Sequence, residues 1–299
     1  MKRRYVTIDV FTTQAFGGNP LAVVLDAQGL SAGQMQSLAR EFNYAETTFV
    51  WPPRESAHTA QVRIFTPRTE VPFAGHPNVG TAVVLARELE SRGLPPADQL
   101  TFEEQAGLVP LRLIREAGVV VGAELTAPQA LSRGAQVSAA DAAACLSIDP
   151  SAIELRNHAP QVLSVGLPFL IAELVSREAL RRCKPDLAAH ERLLPPIGTD
   201  SIFAYARSEH SKELSARMFA PLDAIPEDPA TGSAAAAAIA LLAQRGAERD
   251  AEHAWRIEQG IEMGRPSLLL GRTAKRGGTL AAVHIGGHAV PLMQGTFDL

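Results

Sequence analysis

Two short glycine-containing loops carry residues whose types could do chemistry. The first loop contains Gly75 and His76, and the second is Thr231-Gly232-Ser233. A glycine loop that opens a helix presents backbone N–H groups and the positive end of the helix dipole, and both favour an anion. Two such loops facing each other across a domain cleft would hold a small carboxylate. A single loop of this kind more often only makes a turn, but the pair, with Asp228 nearby, favours a functional site.

Glu46 is a further candidate. It lies between a predicted helix and the apolar run TTFVW at 47–51. A carboxyl group in apolar surroundings tends toward a raised pKa, which suits it to give and take protons. On the residues alone, an exposed glutamate at the start of a strand is the simpler interpretation.

Several familiar motifs are absent. The stretch GHPNVGT lacks the lysine of a phosphate-binding P-loop, and TGSAA lacks the last glycine of a nucleophile elbow. No Gly-x-Gly-x-x-Gly follows the first strand, so a dinucleotide cofactor is unsupported. His284 and His288 are separated by a glycine pair that disfavours a helix, which argues against a metal site.

Composition and charge predict a cytoplasmic protein that binds neither nucleic acid nor membrane. The 299 residues favour two domains, and the net charge of -4 lacks the basic excess of nucleic-acid binders. The longest strongly apolar run, 234–243, is about half the ~20 residues of a membrane span. The only cysteines, Cys145 and Cys183, cannot form a disulfide framework, which is typical of a reducing cytosol.

An internal repeat indicates a duplication. The segments RIFTPRTEVP (63–72) and RMFAPLDAIP (217–226) align without a gap, and each precedes one of the two loops. Each loop is followed by an unusually apolar stretch of helical length. Because a helix that is apolar nearly all round must be buried on all sides, each should be the central helix of its own domain, wrapped by a sheet.

The remaining pattern alternates strands with a few helices. Helices are predicted at Ser31 to Phe42, with Ser31 as N-cap, at about 78–91 and near 139–146. Strands are predicted at 6–10, 61–65, 100–104, 109–114 and 118–125.

Several motifs, in order along the whole chain, carry a resemblance to a known family. They include FTTQAFGGNPLAVV, AREFNYAETTFV, RIFTPRTEVPFAGHPNVGTA, RMFAPLDAIPEDPATGSAAAAAIALL and IEQGIEMGRPSLL. The chain resembles the PhzF-like family of phenazine-biosynthesis isomerases, which is similar in fold to diaminopimelate epimerase. The resemblance implies an α/β (α+β) fold of two similar domains, each a curled, mostly antiparallel sheet around a central apolar helix. The domains would be 1–120 plus about 286–299, and 121–285, with the active site in the cleft between them.

The resemblance also implies a reaction, a set of site residues and a homodimer. The family's phenazine enzyme isomerises trans-2,3-dihydro-3-hydroxyanthranilate without a cofactor or metal. A proton that leaves C3 and returns at C1 on one ring face can be carried by a single carboxylate. The implied catalytic residues are Glu46, His76 and Asp228, and the residues implied to bind the substrate carboxylate or its other polar groups are Asn19, Gly75, Gly232 and Ser233.

Three positions depart from the family pattern, and two alternative functions stay open. Ala45, Tyr44 and Asn78 replace residues that are usually small and polar, aliphatic and aliphatic, respectively, so a different small cyclic or unsaturated acid is a possible substrate. The first alternative is a racemase or epimerase on the same fold, but its two-thiol mechanism is disfavoured because the loops carry His76 and Ser233 in place of cysteines. The second is a binding or regulatory module without turnover.

Overall fold

The computed structural model describes residues 2–94, 96–208, 212–223 and 225–299, so position 224 of the second repeat lies outside the described residues. The chain divides into two compact units, Met1–Thr126 with Gly286–Leu299, and Ala127–Ile285. This division falls after Thr126, at the end of a strand that runs over Val119–Thr126, and the predicted division was placed after residue 120.

The first unit contains two helices and nine strands or strand segments among the described residues. Its helices are α1 (Ala32–Phe42) and α2 (Gly75–Ser91). Its strands are β1 (Lys2–Val10), β2 (Asn19–Val24), β3 (Glu46–Trp51), β4 (Ala60–Phe65), β5 (Glu70–Val71), β6 (Gln99–Glu104), β7 (Gly107–Glu116), β8 (Val119–Thr126) and the second part of β17 (Thr279–Asp298).

The second unit contains the remaining elements. Its helices are α3 (Ala139–Leu146), α4 (Arg177–Arg182), α5 (Leu187–Leu193) and α6 (Gly232–Arg245). Its strands are β9 (Ser132–Gln136), β10 (Gln161–Ser164), β11 (Pro168–Leu174), β12 (Ile202–Arg207), β13 (Glu213–Ala220), β14 (Ile225–Asp228), β15 (Ala251–Gln259), β16 (Ser267–Arg276) and the first part of β17.

The strands of the first unit form a closed, mostly antiparallel circuit. Strand β1 lies between β17 and β2, with both of which it is antiparallel. The circuit continues through β3, β4, β6, β7 and β8, in which only the β2–β3 and β4–β6 pairs are parallel among the described pairings. Strand β8 then pairs with β17, so the circuit returns to its start.

Helix α2 is the central helix of the first unit. Its residues from Gly75 to Val84 are all buried, as the apolar sequence predicted. The helix packs against β1, β2, β3, β7 and β8. The approach is close at Gly80, where an added Cβ would lie 2.6 Å from Leu21 Cδ2. The helix begins three residues before the predicted start, because Pro77 has the fixed φ that the first turn of a helix accepts.

Helix α6 is the central helix of the second unit. Residues 234–243 are buried, and the helix packs against β10, β11, β15 and β16. An added Cβ at Gly271 on β16 would lie 2.5 Å from Ile239 Cδ1. Helices α3, α4 and α5 cover the opposite side of β11 and β12 and form a separate apolar cluster with them.

The repeat predicted from the sequence has a structural counterpart in the two arginines that open it. Arg63 makes two hydrogen bonds of 2.7 Å to the carboxylate of Glu70 and lies over the Phe65 ring. Arg217 likewise makes hydrogen bonds of 2.8 and 2.7 Å to Glu227 and lies over the ring of the equivalent phenylalanine. Paired N–H···O bonds of this kind fix both distance and angle. Each arginine therefore ties its strand to the segment that leads into a candidate loop.

Among the described residues, no helix combines the length and apolarity needed to cross a membrane.

Candidate active site

A turn that requires glycine positions Asn19 in the first unit's set of site residues. Gly18 has φ +64°, and an added Cβ there would lie 2.2 Å from the carbonyl oxygen of Val10. Side chains other than glycine are strained in this conformation and would collide with β1. Asn19 then starts β2 and is fully buried.

Glu46 starts the neighbouring strand. Helix α1 ends at Asn43, which has a left-handed conformation, and three residues later the chain enters β3. The parallel register of β2 and β3 places Glu46 beside Leu21, near the start of β2. The Glu46 side chain is only 17% exposed. The simpler interpretation of an exposed glutamate is therefore wrong.

His76 meets both residues from the start of α2. Its Nδ1 lies 3.3 Å from Nδ2 of Asn19, and its Nε2 lies 3.5 Å from Oε2 of Glu46. The asparagine amide, in this orientation, donates to Nδ1, so the proton of a neutral imidazole is on Nε2 and points toward Glu46. Burial lowers the pKa of His76 to about 3. The histidine is therefore a neutral hydrogen-bond donor at physiological pH.

This set can perform acid–base chemistry. A partly shielded carboxylate next to a neutral N–H donor can take up a proton, because no imidazolium charge lowers its basicity. Gly75 precedes His76 as the first residue of α2, and no side chain caps this helix at its N-cap residue, Ala74. The N–H groups of the first turn are therefore not used by a side-chain cap and favour an anion.

The second unit holds its own set at the start of α6. Asp228 ends β14 and is buried, and its Oδ2 accepts a hydrogen bond of 2.5 Å from the Thr231 hydroxyl. The Gln259 amide donates to the Asp228 carbonyl oxygen at 2.8 Å and to the Thr231 hydroxyl at 3.0 Å. Its Oε1 accepts from the Thr231 N–H at 3.1 Å. Gln259 therefore fixes the loop from both ends.

The same loop opens helix α6. Gly232 and Ser233 are its first two residues. Thr231, the N-cap residue, makes no side-chain bond to the first turn, and its hydroxyl donates to Asp228. Gly260, with φ +74°, allows the end of β15 to approach the loop, since an added Cβ would lie 2.7 Å from the Pro229 carbonyl oxygen. Both candidate loops thus open a buried central helix that lacks a side-chain cap.

The structure therefore groups the residues implied by the resemblance into two sets. Asn19, Glu46, Gly75 and His76 belong to the first unit, and Asp228, Gly232 and Ser233 to the second. Of the departures from the family pattern, Ala45 directly precedes Glu46, Tyr44 stacks on Phe42 at 6.4 Å and Asn78 lies in the first turn of α2.

Sequence reasoning missed two residues that the structure brings to these sets. One is Gln259, whose motif IEQG was noted without a role. The other is Glu104, at the end of β6, whose two carboxyl oxygens are shielded from solvent. Strand alternation could have found it, because Leu100 and Phe102 are buried on the same face of β6. Among the described residues, no group of three or more His, Cys, Asp or Glu side chains is placed to hold a metal ion.

Comparison with known proteins decides the family. The model of the family described as phenazine biosynthesis-like protein matches residues 8–295. The chain belongs to this family. A curated relative from Mesorhizobium japonicum, described as an uncharacterized isomerase, is 40% identical over 98% of both chains. The trans-2,3-dihydro-3-hydroxyanthranilate isomerase of Pseudomonas chlororaphis is 38% identical over 99% of both chains.

A solved structure supports the fold. The Bacillus anthracis phenazine biosynthesis protein of the PhzF family matches with a TM-score of 0.86 and 24% identity over 100% of both chains. The predicted α/β fold class and the predicted PhzF-like family are confirmed, and so is the prediction that the chain is an isomerase.

Proposed function

We propose that this PhzF-family enzyme moves a proton on a small cyclic or unsaturated carboxylic acid without a cofactor. The best candidate substrate is trans-2,3-dihydro-3-hydroxyanthranilate, because the 38% identical Pseudomonas chlororaphis relative is named for it. The observation that carries the proposal is the pairing of half-buried Glu46 with buried His76, whose facing atoms are 3.5 Å apart.

Glu46 is the proposed proton carrier. Its carboxylate takes the proton from C3 as the C3–H bond breaks, and the electron pair moves through the conjugated ring bonds toward C1. The carboxylic acid then returns the same proton, and a C1–H bond forms on the same face of the ring. One group can serve as base and then as acid because the proton stays on Glu46 between the two steps.

The remaining residues of the two sets would bind and orient the substrate. Neutral His76 can donate its Nε2–H to developing negative charge without carrying a charge of its own. The uncapped N-termini of α2 and α6, with Ser233, offer donors for the substrate carboxylate. Asp228 can accept from a substrate hydroxyl or amino group while Thr231 holds it in place.

The racemase alternative based on two thiols has little support in this structure. Cys145 and Cys183 are both in the apolar cluster formed with α3, α4 and α5. Burial raises their pKa to about 11 and about 12, respectively, which disfavours the thiolate.

The test is proton NMR in D2O with trans-2,3-dihydro-3-hydroxyanthranilate. Wild-type protein should consume the substrate, and Glu46→Gln should reduce the rate by at least about a thousandfold, because it removes the proton carrier. Glu41→Gln, the same change at an exposed position of α1, is the matched control and should leave the rate unchanged. Turnover by Glu46→Gln at the wild-type rate would exclude Glu46 as the carrier. Binding without turnover or deuterium incorporation by wild type would favour the non-catalytic alternative.

We also propose a homodimer, which so far rests on the resemblance alone. Sedimentation should give the mass of two chains, and the mass of one chain would exclude it.

A further inference from the structure

Asn78, beside the candidate site, and Glu104 carry buried side-chain oxygen atoms, and the two side chains are neighbours. Asn78 lies two residues after His76 in the first turn of α2 and is fully buried. Its Nδ2 donates to the Ala74 carbonyl oxygen at 3.0 Å. Within the part of the chain that the structure describes, neither its Oδ1 nor either carboxyl oxygen of Glu104 has a hydrogen-bond partner, and all three atoms are shielded from solvent.

Three buried acceptors without a donor are unfavourable. A buried polar atom left without a hydrogen bond costs about 1–3 kcal/mol, and an ionised carboxylate costs more. A proton on Glu104 changes this balance, because the neutral carboxyl group is a donor. Burial raises the pKa of Glu104 to about 8, and the nearby Asn78 amide only partly offsets that effect. Near neutral pH the group is therefore mostly protonated.

The titratable groups on the elements around Glu104 either have other partners or are neutral. Glu103, on the other face of β6, accepts hydrogen bonds from the backbone N–H groups of Arg54 and Glu55 and lies 2.7 Å from the His58 ring. On β4 and β5, Arg63 and Glu70 pair with each other. The titratable group in the first turn of α2 is His76, which burial keeps neutral. On β7, Gly107 is the residue paired with Glu104.

The hairpin that carries Glu104 is attached to the loop that leads into α2. The Ala106 N–H, in the turn between β6 and β7, donates to the Pro72 carbonyl oxygen at 3.2 Å. The loop that leads into α2 is therefore attached to this hairpin at Pro72.

We propose that neutral Glu104 is a positioning residue of the candidate site: it donates its carboxyl proton to Oδ1 of Asn78 and so fixes the turn that carries His76. The effect of Glu104 on the His76 ring can be observed without a substrate, while its effect on turnover rests on the proposed function. Ionisation of Glu104 would break the hydrogen bond and place a negative charge next to the turn.

The first experiment observes His76 directly and needs no substrate. Imidazole resonances of protein labelled with 15N-histidine are followed on either side of pH 8, with His76 assigned from His76→Asn. The wild-type His76 resonance should shift with a midpoint near pH 8, and Glu104→Gln, which keeps a neutral donor, should abolish the shift. Glu103→Gln, the control on the opposite face, should retain it. A flat wild-type resonance, or a shift that persists in Glu104→Gln, would overturn the proposal.

The second experiment measures kinetics with the substrate of the proposed function. Wild-type kcat should fall above pH 8, where Glu104 loses its proton. Glu104→Gln should stay within about threefold of the wild-type kcat near neutral pH and should not show this fall. Glu104→Leu should lower kcat by about tenfold or more, because His76 is then misplaced. A raised KM with unchanged kcat would instead mean that Glu104 contacts the substrate, which would also overturn the positioning role. If wild type turns over no substrate, the proposed function fails and the NMR result still decides this inference.

Discussion

His76 is kept neutral by its surroundings in the first unit. Burial lowers the pKa of its imidazole, and the Asn19 amide, by donating to Nδ1, stabilises the tautomer with the proton on Nε2. An imidazolium at this place would attract the proton-carrying Glu46 as an ion pair and lower its basicity. The chemistry proposed here therefore depends on Asn19 as much as on the histidine.

Asn19→Asp tests this dependence. A carboxylate against Nδ1 favours the charged ring, so the pKa of His76 should rise from about 3 toward its ordinary value, and turnover should fall. The measurement is a 15N NMR titration of the ring, with Asn43→Asp at the end of α1 as the control. A His76 ring that stays unprotonated in Asn19→Asp throughout the acidic range in which the protein remains folded would contradict this account.

The two thiols should be inert in the native protein. Cys145 and Cys183 are 0% and 1% exposed, and burial raises the pKa of both. Iodoacetamide should leave the intact mass and the turnover of the folded protein unchanged, whereas the protein unfolded in urea should gain two adducts. A native adduct that substrate prevents would instead restore the two-thiol mechanism.

At the residue scale, the sequence could predict site residues only where a motif marked them. His76 and Ser233 were found because a glycine loop precedes a helix at both places. The state of Glu46 could not be decided, since its burial depends on β2 and α2, which are distant in sequence. Glu104 lies in a strand that was predicted, but its buried neighbour Asn78 is on α2, and no local signal indicates that contact.

At the element scale, both central helices begin without a side-chain cap. A serine or threonine at the N-cap normally bonds to the first turn, as Ser31 does in α1. Thr231 occupies that place in α6, but its hydroxyl donates to Asp228. The first turn of α6 has no side-chain cap bond, and the Thr231 hydroxyl instead fixes the orientation of Asp228.

Thr231→Val tests what that bond does. The Asp228 carboxylate would lose the hydroxyl that donates to it at 2.5 Å, and the Gln259 amide would lose one of its two acceptors. The free energy of unfolding should therefore fall by about 1–3 kcal/mol. Turnover should fall by about tenfold or more if Asp228 must be held in place. Urea unfolding and kcat/KM are the measurements, and Thr279→Val at an exposed position of β17 is the control. Reduced stability with unchanged turnover would show that the bond is only structural.

Local signals predicted the elements better than their pairing. Ser31 and Gln34 form a capping box at the predicted start of α1, and the apolar stretches became buried helices. The pairing of β1 with β17 has no local signal, because Lys2 lies opposite Asp298, nearly the whole chain away. The resemblance, not the periodicity, assigned the last residues to the first domain.

At the scale of the whole molecule, the end of the chain completes the first unit. Residues 289–298 of strand β17 pair with β1, and β17 also pairs with β8. The His288 carbonyl oxygen accepts further hydrogen bonds from the N–H groups of Phe11 and Thr12 at 2.7 and 3.2 Å. Without this strand the circuit around α2 would be open, and β1 and β8 would each present an unpaired edge.

Deletion of residues 286–299 should therefore expose the first unit's core. Amides of β1, β8 and α2 should exchange hydrogen rapidly, because the strand pairs and the packing around the central helix are lost together. Unpaired strand edges also promote association between chains, so light scattering should rise with protein concentration. Deletion of the exposed Leu299 alone is the control and should change neither measurement. If the amides of β1 and α2 still exchange slowly after the long deletion, the circuit of strands is not what protects this helix.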